Sequence, residues 1–251
     1  MRRFAKDKKD TFYRRAKEVG FRARSAFKLM QLDDAFDLLG AGAAPGEASR
    51  VRNVVDLCAA PGSWSQCLAR RLGGRGTIVA VDLQEMAPIA GVTQLQGDIT
   101  TRGTAERIVA HFRDEPADLV VCDGAPDVTG LHDLDEHAHL GLLAAAVRIA
   151  TAVLCGGGAF VAKVFAGANA DLLVAQLQPL FSRVTIAKPA SSRAHSFEAF
   201  IVCEGFHAPP GWPRVGASTE SMLPLRATAA AASAASLLRF VEIGDLDGSD
   251  C

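Results

Sequence analysis

The residues that could do chemistry in this chain follow its apolar segments, each at the point where a segment ends. The first apolar run, residues 54–57, leads into the loop 60–64 (APGSW) and then into an amphipathic segment. That order is typical of a buried strand, a tight loop and a helix N-terminus. Because Gly62 has no side chain, the loop amides can approach a ligand closely. Asp82 closes the next apolar run, about where a nucleotide-binding fold contacts ribose hydroxyls.

Two further aspartates follow later strand-like segments. Asp98 comes after the short segment 93–96, and Asp123 comes directly after 119–122. The carboxyl ends of strands in an open α/β sheet meet at one edge, so we expect these carboxylates to share a ligand site with the Gly62 loop. Three carboxylates together need positive charge or hydrogen-bond donors, which a nucleoside, a sulfonium or a metal could supply. Each aspartate could also be a simple helix cap, but three in succession with Trp64 beside the loop favour a nucleotide site.

Lys163 is unusual because it lies within the apolar segment FVAKVF, near its C-terminal end. A lysine in apolar surroundings can serve as a base or as a charge clamp, although it could also extend to solvent at a sheet edge. Glu198, which opens the last strand-like segment, could pair with Lys163, and Lys28 in the first helix could join them. Sequence spacing alone does not bring these three residues together.

An alternation of strands and helices would position these residues, and the chain predicts one. Strands that alternate with helices form βαβ units, so we predict an α/β fold with a seven-stranded, mostly parallel sheet covered on both faces. The loop before the last strand is too short for a crossover helix, which predicts that the last strand is antiparallel. Ser25 can cap the first helix, and glycines 156–158 stop the long one. The predicted strands are 53–57, 77–82, 93–96, 119–122, 159–164, 184–187 and 199–203, and the predicted helices are 25–40, 63–72, 104–111, 134–154 and 170–180.

Charge is distributed unevenly, although the net charge is −1. Residues 1–28 contain eleven Lys/Arg and three Asp/Glu, whereas the rest of the chain contains sixteen and twenty-five. A basic arm on an acidic body indicates a polyanionic partner, with a solvated charged leader as the alternative. Aromatic residues among the cations favour RNA, because they can stack on bases while the cations neutralise phosphates. These aromatic residues are Phe4, Phe12, Tyr13, Phe21 and Phe27.

The composition predicts three regions. Residues 1–24 form the basic arm, extended or loosely helical, and residues 25–208 form the α/β domain. A proline-rich link then leads into an extension, 209–251, with an alanine-rich segment and an acidic end. Such a low-complexity extension could dock on another protein or be flexible.

Several other classes of protein find little support. No apolar stretch reaches the roughly 18 residues of a membrane span, and no signal peptide is visible. Six cysteines without a C-x-x-C pair favour the reduced thiols of a cytoplasmic or nuclear protein. A hydrolase G-x-S-x-G and a dehydrogenase G-x-G-x-x-G are both absent. His132, His137 and His139 favour a solvated helix start over a zinc site, and we predict no metal.

Six motifs follow one another along the chain: DLCAAPGSWSQ, AVDLQ, QGDIT, ADLVVCDGAPDVTGLHD, FVAKVF and SSRAHSFEAFIVC. In this order they resemble the motifs of the FtsJ/RrmJ-like RNA 2′-O-ribose methyltransferases, and the resemblance runs from about Lys6 to Gly205. The basic segment KDKKDTFYRRAKEVGFRARSAFKL together with CDGAPDVTG is most similar to the eukaryotic tRNA subgroup, which modifies the anticodon loop. The alanine-rich extension matches no family pattern beyond a faint similarity in RFVEIGDLDGSD.

The resemblance implies a Rossmann-like class I methyltransferase fold, S-adenosylmethionine as cofactor and the anticodon loop of tRNA as substrate. It also implies an accessory protein that selects the nucleotide. Alternatives are a methyltransferase that acts on rRNA and an RNA-binding scaffold without catalysis, although all four catalytic positions are present. The residues that match the family's catalytic set are Lys28, Asp123, Lys163 and Glu198, and those that match its cofactor contacts are Gly62, Trp64, Asp82, Asp98 and Asp123.

The expected reaction is an in-line displacement of a methyl group from a sulfonium by a ribose 2′-oxygen. A 2′-hydroxyl is a poor nucleophile at neutral pH and gains from a nearby base. Lys163 is the candidate base if its neutral form is accessible. Alternatively, Lys163 stays charged and only holds the hydroxyl, so that alignment supplies much of the rate.

Overall fold

The computed structural model describes residues 2–40, 51–112, 115–126, 132–165, 168–193 and 196–208. The predicted C-terminal extension, 209–251, lies outside the described residues. Six helices and seven strands make up the described part. The helices are α1 (Arg2–Val19), α2 (Ala26–Phe36), α3 (Ser63–Leu72), α4 (Arg102–His111), α5 (His132–Val153) and α6 (Ala168–Leu177). The strands are β1 (Asn53–Leu57), β2 (Thr77–Asp82), β3 (Val92–Gln96), β4 (Ala117–Cys122), β5 (Leu154–Phe165), β6 (Phe181–Ala187) and β7 (Glu198–Phe206).

The seven strands form one sheet in the order β3-β2-β1-β4-β5-β7-β6. Strands β1 to β5 pair in parallel, whereas β7 is antiparallel to both β5 and β6. This arrangement confirms the predicted mostly parallel sheet with an antiparallel last strand. Because β7 inserts between β5 and β6, its first residue, Glu198, pairs with Phe165 at the C-terminal end of β5.

The sheet separates two apolar layers. Val55 and Val120 face the layer that contains Ile108 of α4 and residues of α5 and α6. Val54 and Val121, one residue along each strand, face the layer formed by α1, α2 and α3. Strands covered on both faces read as continuous apolar runs rather than as alternating patterns, which is why β1 and β4 were recognisable in the sequence.

The basic arm is an α-helix, α1, that is followed by a short turn into α2. Two of its aromatic residues cannot take part in the predicted RNA stacking. Phe12 and Phe21 pack on Phe27 with ring centroids 5.5 and 6.0 Å apart, and Phe21 and Phe27 are 7% and 6% exposed. The stacking interpretation was wrong for Phe21 and Phe27, because these rings are buried in the helical layer, and Phe12 is partly buried against them. Tyr13 is half exposed, and the side chain of Phe4 is outside the described part.

Two local predictions also differ from the structure. Ser25 does not cap α2 through its side chain, because its Oγ lies 2.6 Å from Ser63 Oγ and shares a hydrogen bond with it. Glycines 156–158 do not end α5 but lie inside β5, which begins directly after the helix. The β4–β5 register shifts across them, from Ala117 opposite Leu154 to Leu119 opposite Ala159. Among the described helices, none is long and apolar enough to cross a membrane.

Candidate active site

The loop after β1 is held by backbone and carboxylate hydrogen bonds. The amide of Ala60 donates to Asp82 Oδ2 at the end of β2, at 2.8 Å. Gly62 has φ +101° and immediately precedes α3. A Cβ at Gly62 would lie 2.7 Å from Ile89 Cδ1 and 2.8 Å from Arg22 Nη1, so this position requires glycine both for its φ and for its space. The space that the missing side chain leaves is filled by Arg22 and Ile89, and Gly62 itself is buried, so the predicted close approach of a ligand to this loop stays a prediction.

The side chain of Arg22 bridges this loop to the loop after β2. Its Nη1 donates to Pro61 O at 2.9 Å and its Nη2 to Pro88 O at 3.0 Å, so one guanidinium joins the loops after β1 and β2. The backbone amide of Arg22 donates to Gln66 Oε1 at 2.8 Å. In the sequence Arg22 was only one of many cations of the arm, and no local signal distinguished it.

Asp82 and Asp98 stand at the ends of adjacent strands, as predicted. Asp82 Oδ1 accepts from the amide of Gln84 at 2.8 Å, and Asp98 Oδ1 accepts from the amide and the hydroxyl of Thr100 at 2.8 and 2.7 Å. Asp98 therefore stabilises the turn before α4 but does not cap the helix, whose N-cap residue is Thr101. Its Oδ2 takes part in neither bond, so the turn does not use up the carboxylate.

Trp64 lies differently from the prediction. Its ring is 2% exposed, packs on Phe200 at 5.7 Å, and donates through Nε1 to Ser25 O at 2.9 Å. The indole is thus part of the core that joins α2, α3 and β7. A cofactor contact at Trp64 could use only its backbone amide in the first turn of α3, and that contact stays a prediction.

Asp56 is a buried carboxyl beneath the loop that the sequence reasoning missed. It is 1% exposed and accepts a hydrogen bond of 2.5 Å from Ser65 Oγ of α3. Burial raises the pKa of Asp56 to about 7, with smaller contributions from the charges of Asp123 and Asp82. Its only sequence signal was a charged residue inside an otherwise apolar strand.

The four predicted catalytic residues are brought together at the C-terminal ends of β4 and β5. Lys28 Nζ of α2 lies 2.8 Å from both carboxylate oxygens of Glu198 and 3.7 Å from Asp123 Oδ1. Lys163 Nζ lies 3.2 Å from Asp123 Oδ1 and donates to Asp123 O at 2.6 Å. Their side chains are 11–18% exposed, so the charges are partly desolvated but reachable. Asp123 lies between the two lysines, which prevents the lysines from facing each other without a counter-charge.

The two carboxyl groups of this cluster differ electrostatically. Burial raises the pKa of Asp123 above its ordinary value, although the charges of Lys163 and Lys28 act against it. Burial acts in the same direction on Glu198, but the hydrogen bond and charge of Lys28 outweigh it, so the pKa of Glu198 is lowered. Ser192 Oγ donates to Glu198 Oε1 at 2.9 Å and also favours the ionised form. Glu198 is thus the firmly ionised partner of Lys28.

The histidine segment contributes no metal site to the described part of the chain. His139 is 4% exposed and its ring lies 4.5 Å from that of Phe165. The side chains of His132 and His137 are outside the described residues. Where side chains are described, no group of three or more His, Cys, Asp or Glu is placed to hold a metal ion.

Comparison with known proteins gives the family. Residues 21–206 match the model of the FtsJ-like methyltransferase family. The chain belongs to the FtsJ-like methyltransferase family. Membership of this family implies a cofactor of the S-adenosylmethionine type.

Curated relatives of this FtsJ-like chain share about half of its residues. A human protein named tRNA (cytidine(32)/guanosine(34)-2′-O)-methyltransferase is 58% identical over 214 residues, which cover 84% of this chain and 62% of that protein. A Schizosaccharomyces pombe protein of the same name is 50% identical over 261 residues, which cover 100% of this chain and 86% of that protein. The chain therefore spans less than two thirds of its human relative.

A solved structure confirms the fold of this FtsJ-like chain. A protein described as a ribosomal RNA methyltransferase of Plasmodium falciparum aligns with a TM-score of 0.63 and 24% identity, covering 74% of this chain and 98% of that chain. Together with the family match and the observed sheet order, this likeness confirms the predicted Rossmann-like class I methyltransferase fold.

Proposed function

We propose that this protein transfers a methyl group from S-adenosylmethionine to ribose 2′-hydroxyls in the anticodon loop of tRNA, at positions 32, 34 or both. The observation that carries the proposal is the cluster of Lys28, Asp123, Lys163 and Glu198 beside a glycine loop at one edge of the sheet. Relatives that share about half of its sequence are named for positions 32 and 34 of tRNA, which supports this substrate.

The residues around the Gly62 loop suit a nucleoside-containing cofactor. Helix α3 begins directly after Gly62, and the first amides of a helix are donors that suit a polar or negatively charged part of a ligand. The carboxylates of Asp82 and Asp98, at successive strand ends, are acceptors for ribose hydroxyls and an exocyclic amine. When bound, S-adenosylmethionine supplies a methyl group on a sulfonium, whose positive charge suits the nearby carboxylate of Asp123.

Lys163 is the group that would act on the 2′-hydroxyl. Its Nζ makes two contacts with Asp123, to the backbone oxygen at 2.6 Å and to Oδ1 at 3.2 Å. These contacts occupy two of the N–H positions of the amine and leave one position for the substrate. A neutral amine would then present its lone pair to the hydroxyl as a base, whereas an ammonium would present a third N–H and only hold the oxygen. Both alternatives use the same position of Lys163.

Lys28 and Glu198 would keep this geometry in place. Since Glu198 binds Lys28 with both oxygens, the charge of Lys28 is largely neutralised within the pair. Asp123 is then free to orient Lys163 rather than to balance two cations. We accordingly propose that Lys28 and Glu198 hold Asp123 and Lys163 in position, and that Asp123 and Lys163 contact the reacting atoms.

The basic arm would position the RNA through phosphate contacts. Residues 1–28 carry eleven Lys/Arg, and most of them lie in α1 and the turn that follows. Phosphate neutralisation makes affinity fall steeply with salt, so tRNA binding should weaken by an order of magnitude or more between about 50 and 200 mM salt. A form that lacks residues 2–19 should bind tRNA weakly; equal binding by both forms would contradict this role of the arm.

We also propose a cytoplasmic location, with a nuclear one as the alternative, and an accessory protein that selects the nucleotide. Reduced thiols support this location: Cys58, Cys67, Cys122, Cys155 and Cys203 are all free. Tagging the protein in cells and identifying what co-purifies with it would test both proposals.

The deciding experiment is a methyl-transfer assay with radiolabelled S-adenosylmethionine and tRNA transcripts, followed by mapping of 2′-O-methylated nucleotides. We expect label at position 32, at position 34 or at both, with Lys163→Ala as the inactive control. The assay should be run with and without extract from which the protein has been removed, to supply an accessory subunit. An rRNA fragment serves as the competing substrate, and label in rRNA alone would overturn the tRNA proposal.

A further inference from the structure

Two phenylalanine side chains are exposed beside the catalytic cluster. Phe197, directly before Glu198, is 75% exposed, and Phe165, which pairs with Glu198 across the β5–β7 ladder, is 42% exposed. Phe165 also follows Lys163 by two residues on β5. Both residues therefore adjoin Glu198, Phe197 in the chain and Phe165 across the ladder, at the edge of the sheet where the substrate ribose would lie.

Exposed rings of this size leave apolar area in water, which is unfavourable unless a partner covers it. In the N-terminal region, by contrast, Phe21 and Phe27 are buried, Phe12 is partly buried against them and Tyr13 is half exposed. Most of the aromatic area in the described part of the arm is therefore packed in the core, whereas both rings next to Glu198 are exposed.

Two serines that precede Phe197 are held by hydrogen bonds. Arg24 Nη2 donates to Ser191 O at 2.6 Å, and the amide of Ser191 donates to Gln31 Oε1 at 2.9 Å. Lys188 Nζ donates to Ser196 O at 2.7 Å. Because the residue directly before Phe197 is held before anything binds, Phe197 needs little ordering to present its ring.

Two arginines lie on or against the residues that precede Phe197. Arg193 is exposed on this segment and lies close enough to Arg24 for the two charges to interact. Aromatic rings next to arginines are the composition that single-stranded RNA sites use, whereas protein–protein contacts of purely apolar character lack the surrounding cations.

We propose that Phe197 and Phe165 form a stacking platform for a nucleobase at or next to the methylated ribose. This inference rests on the proposed function, since it assigns the base to the RNA whose 2′-hydroxyl reaches Lys163. Stacking on an aromatic ring does not depend on the hydrogen-bonding groups at the edge of a base, so the platform accepts pyrimidines and purines alike. That tolerance agrees with relatives named for both a cytidine and a guanosine.

The test compares Phe197→Ala, Phe197→Leu and Phe197→Tyr with the unchanged protein in steady-state methylation of tRNA. We expect Phe197→Ala and Phe197→Leu to raise KM for tRNA by about fivefold or more, because one base stacked on an aromatic ring contributes about that much. Phe197→Tyr, which keeps the ring, should stay within about twofold of the wild type. Phe165→Ala should act in the same direction as Phe197→Ala. The dissociation constant for S-adenosylmethionine should not change in any of these variants.

A matched control is Ile186→Ala on the edge strand β6, which removes a partly exposed apolar side chain whose register partner is Ile201, three residues after Glu198 and one strand further from Lys163. It should leave KM for tRNA unchanged. A tRNA with 2-aminopurine beside the target ribose gives a second readout, since its fluorescence should be quenched by the wild type and not by Phe197→Ala.

If Phe197→Ala leaves both KM for tRNA and the fluorescence quenching unchanged, the stacking platform is overturned. If, in addition, the wild type binds another protein that Phe197→Ala does not bind, the two rings belong to a protein–protein contact instead. Failure of the wild type to methylate any RNA would instead overturn the proposed function. The two failures are therefore distinguishable.

Discussion

The two halves of the site are built in different ways. The half that we propose for the cofactor consists of the Gly62 loop, Asp82 and Asp98, all within 37 residues of one another in the sequence. The half that we propose for catalysis consists of Lys28, Asp123, Lys163 and Glu198, and its Lys28–Glu198 bond joins residues 170 positions apart. The first half is held by backbone amides that bind carboxylates, whereas the second is held by partly buried side-chain ion pairs.

This difference separates what each half contributes. A loop held by its own backbone recognises a ligand through shape, so its weak points are a glycine and two strand ends. A cluster of ion pairs positions charge, so its function depends on individual charged groups such as the Lys163 amine. Substitutions in the cofactor half should change cofactor affinity, and those in the catalytic half should change the rate at saturating cofactor.

Replacement of Lys163 should have the largest effect. Lys163→Ala should lower kcat by about 10²- to 10⁴-fold, because it removes the only group that we place on the 2′-hydroxyl. Its dissociation constant for S-adenosylmethionine, measured by calorimetry, should remain near that of the wild type. Lys163→Arg separates base from clamp, since an arginine stays charged; substantial activity in Lys163→Arg would show that no proton is taken. Full turnover by Lys163→Ala would remove Lys163 from the mechanism.

Glu198→Gln should have the next largest effect. It keeps the shape of the side chain but removes the charge that neutralises Lys28, and we expect kcat to fall by about tenfold or more. Glu204→Gln is the matched control on the same strand, because Glu204 forms an exposed pair with Arg183 at 2.6 Å. Such surface pairs contribute roughly 0–1 kcal/mol, so the control should keep its activity. Equal rates for both variants would mean that the Lys28 pair has no role in orientation.

Gly62→Ala should act on the cofactor half alone. A non-glycine residue at φ +101° is strained, at a cost of about 1–3 kcal/mol, and its Cβ would displace Arg22 or Ile89. We expect the dissociation constant for S-adenosylmethionine to rise by about tenfold or more and Tm to fall by several degrees. At saturating cofactor kcat should be close to that of the wild type. A large loss of kcat with unchanged affinity would break the division between the halves.

Asp56→Asn should affect stability and leave kcat nearly unchanged. The folded-state pKa of Asp56 is about 7, above its ordinary value of 3.8. Below the lower value both states are protonated, and between the two values only the folded state binds the proton, so stability falls as pH rises through this window and levels off above it. Asp56→Asn removes this penalty. The Tm difference between the variant and the wild type, on the order of a few degrees, should therefore grow from pH 5 to pH 8; a difference that does not depend on pH would contradict the assignment.

The cofactor half could be read from the sequence almost completely. The ends of β1, α3 and β2 lie where the apolar runs and glycines placed them, because these elements depend on neighbouring residues. The exception is Trp64. Its place in the first turn of a helix was predictable, but the direction of its ring was decided by the space beneath α2, where Ser25 O and Phe200 receive it.

The catalytic half was named through the family resemblance, but its geometry came only from the tertiary structure. Lys28, Asp123, Lys163 and Glu198 meet because β7 runs antiparallel between β5 and β6 and brings Glu198 back to the end of β5. The same long-range packing buried the aromatic rings of the arm, left Phe197 exposed and set Arg22 across two loops. Local pattern determines which strands and helices form, because it acts within a turn or a strand. Side-chain partners far apart in the chain are decided by how the sheet is ordered, and no spacing in the sequence records that order.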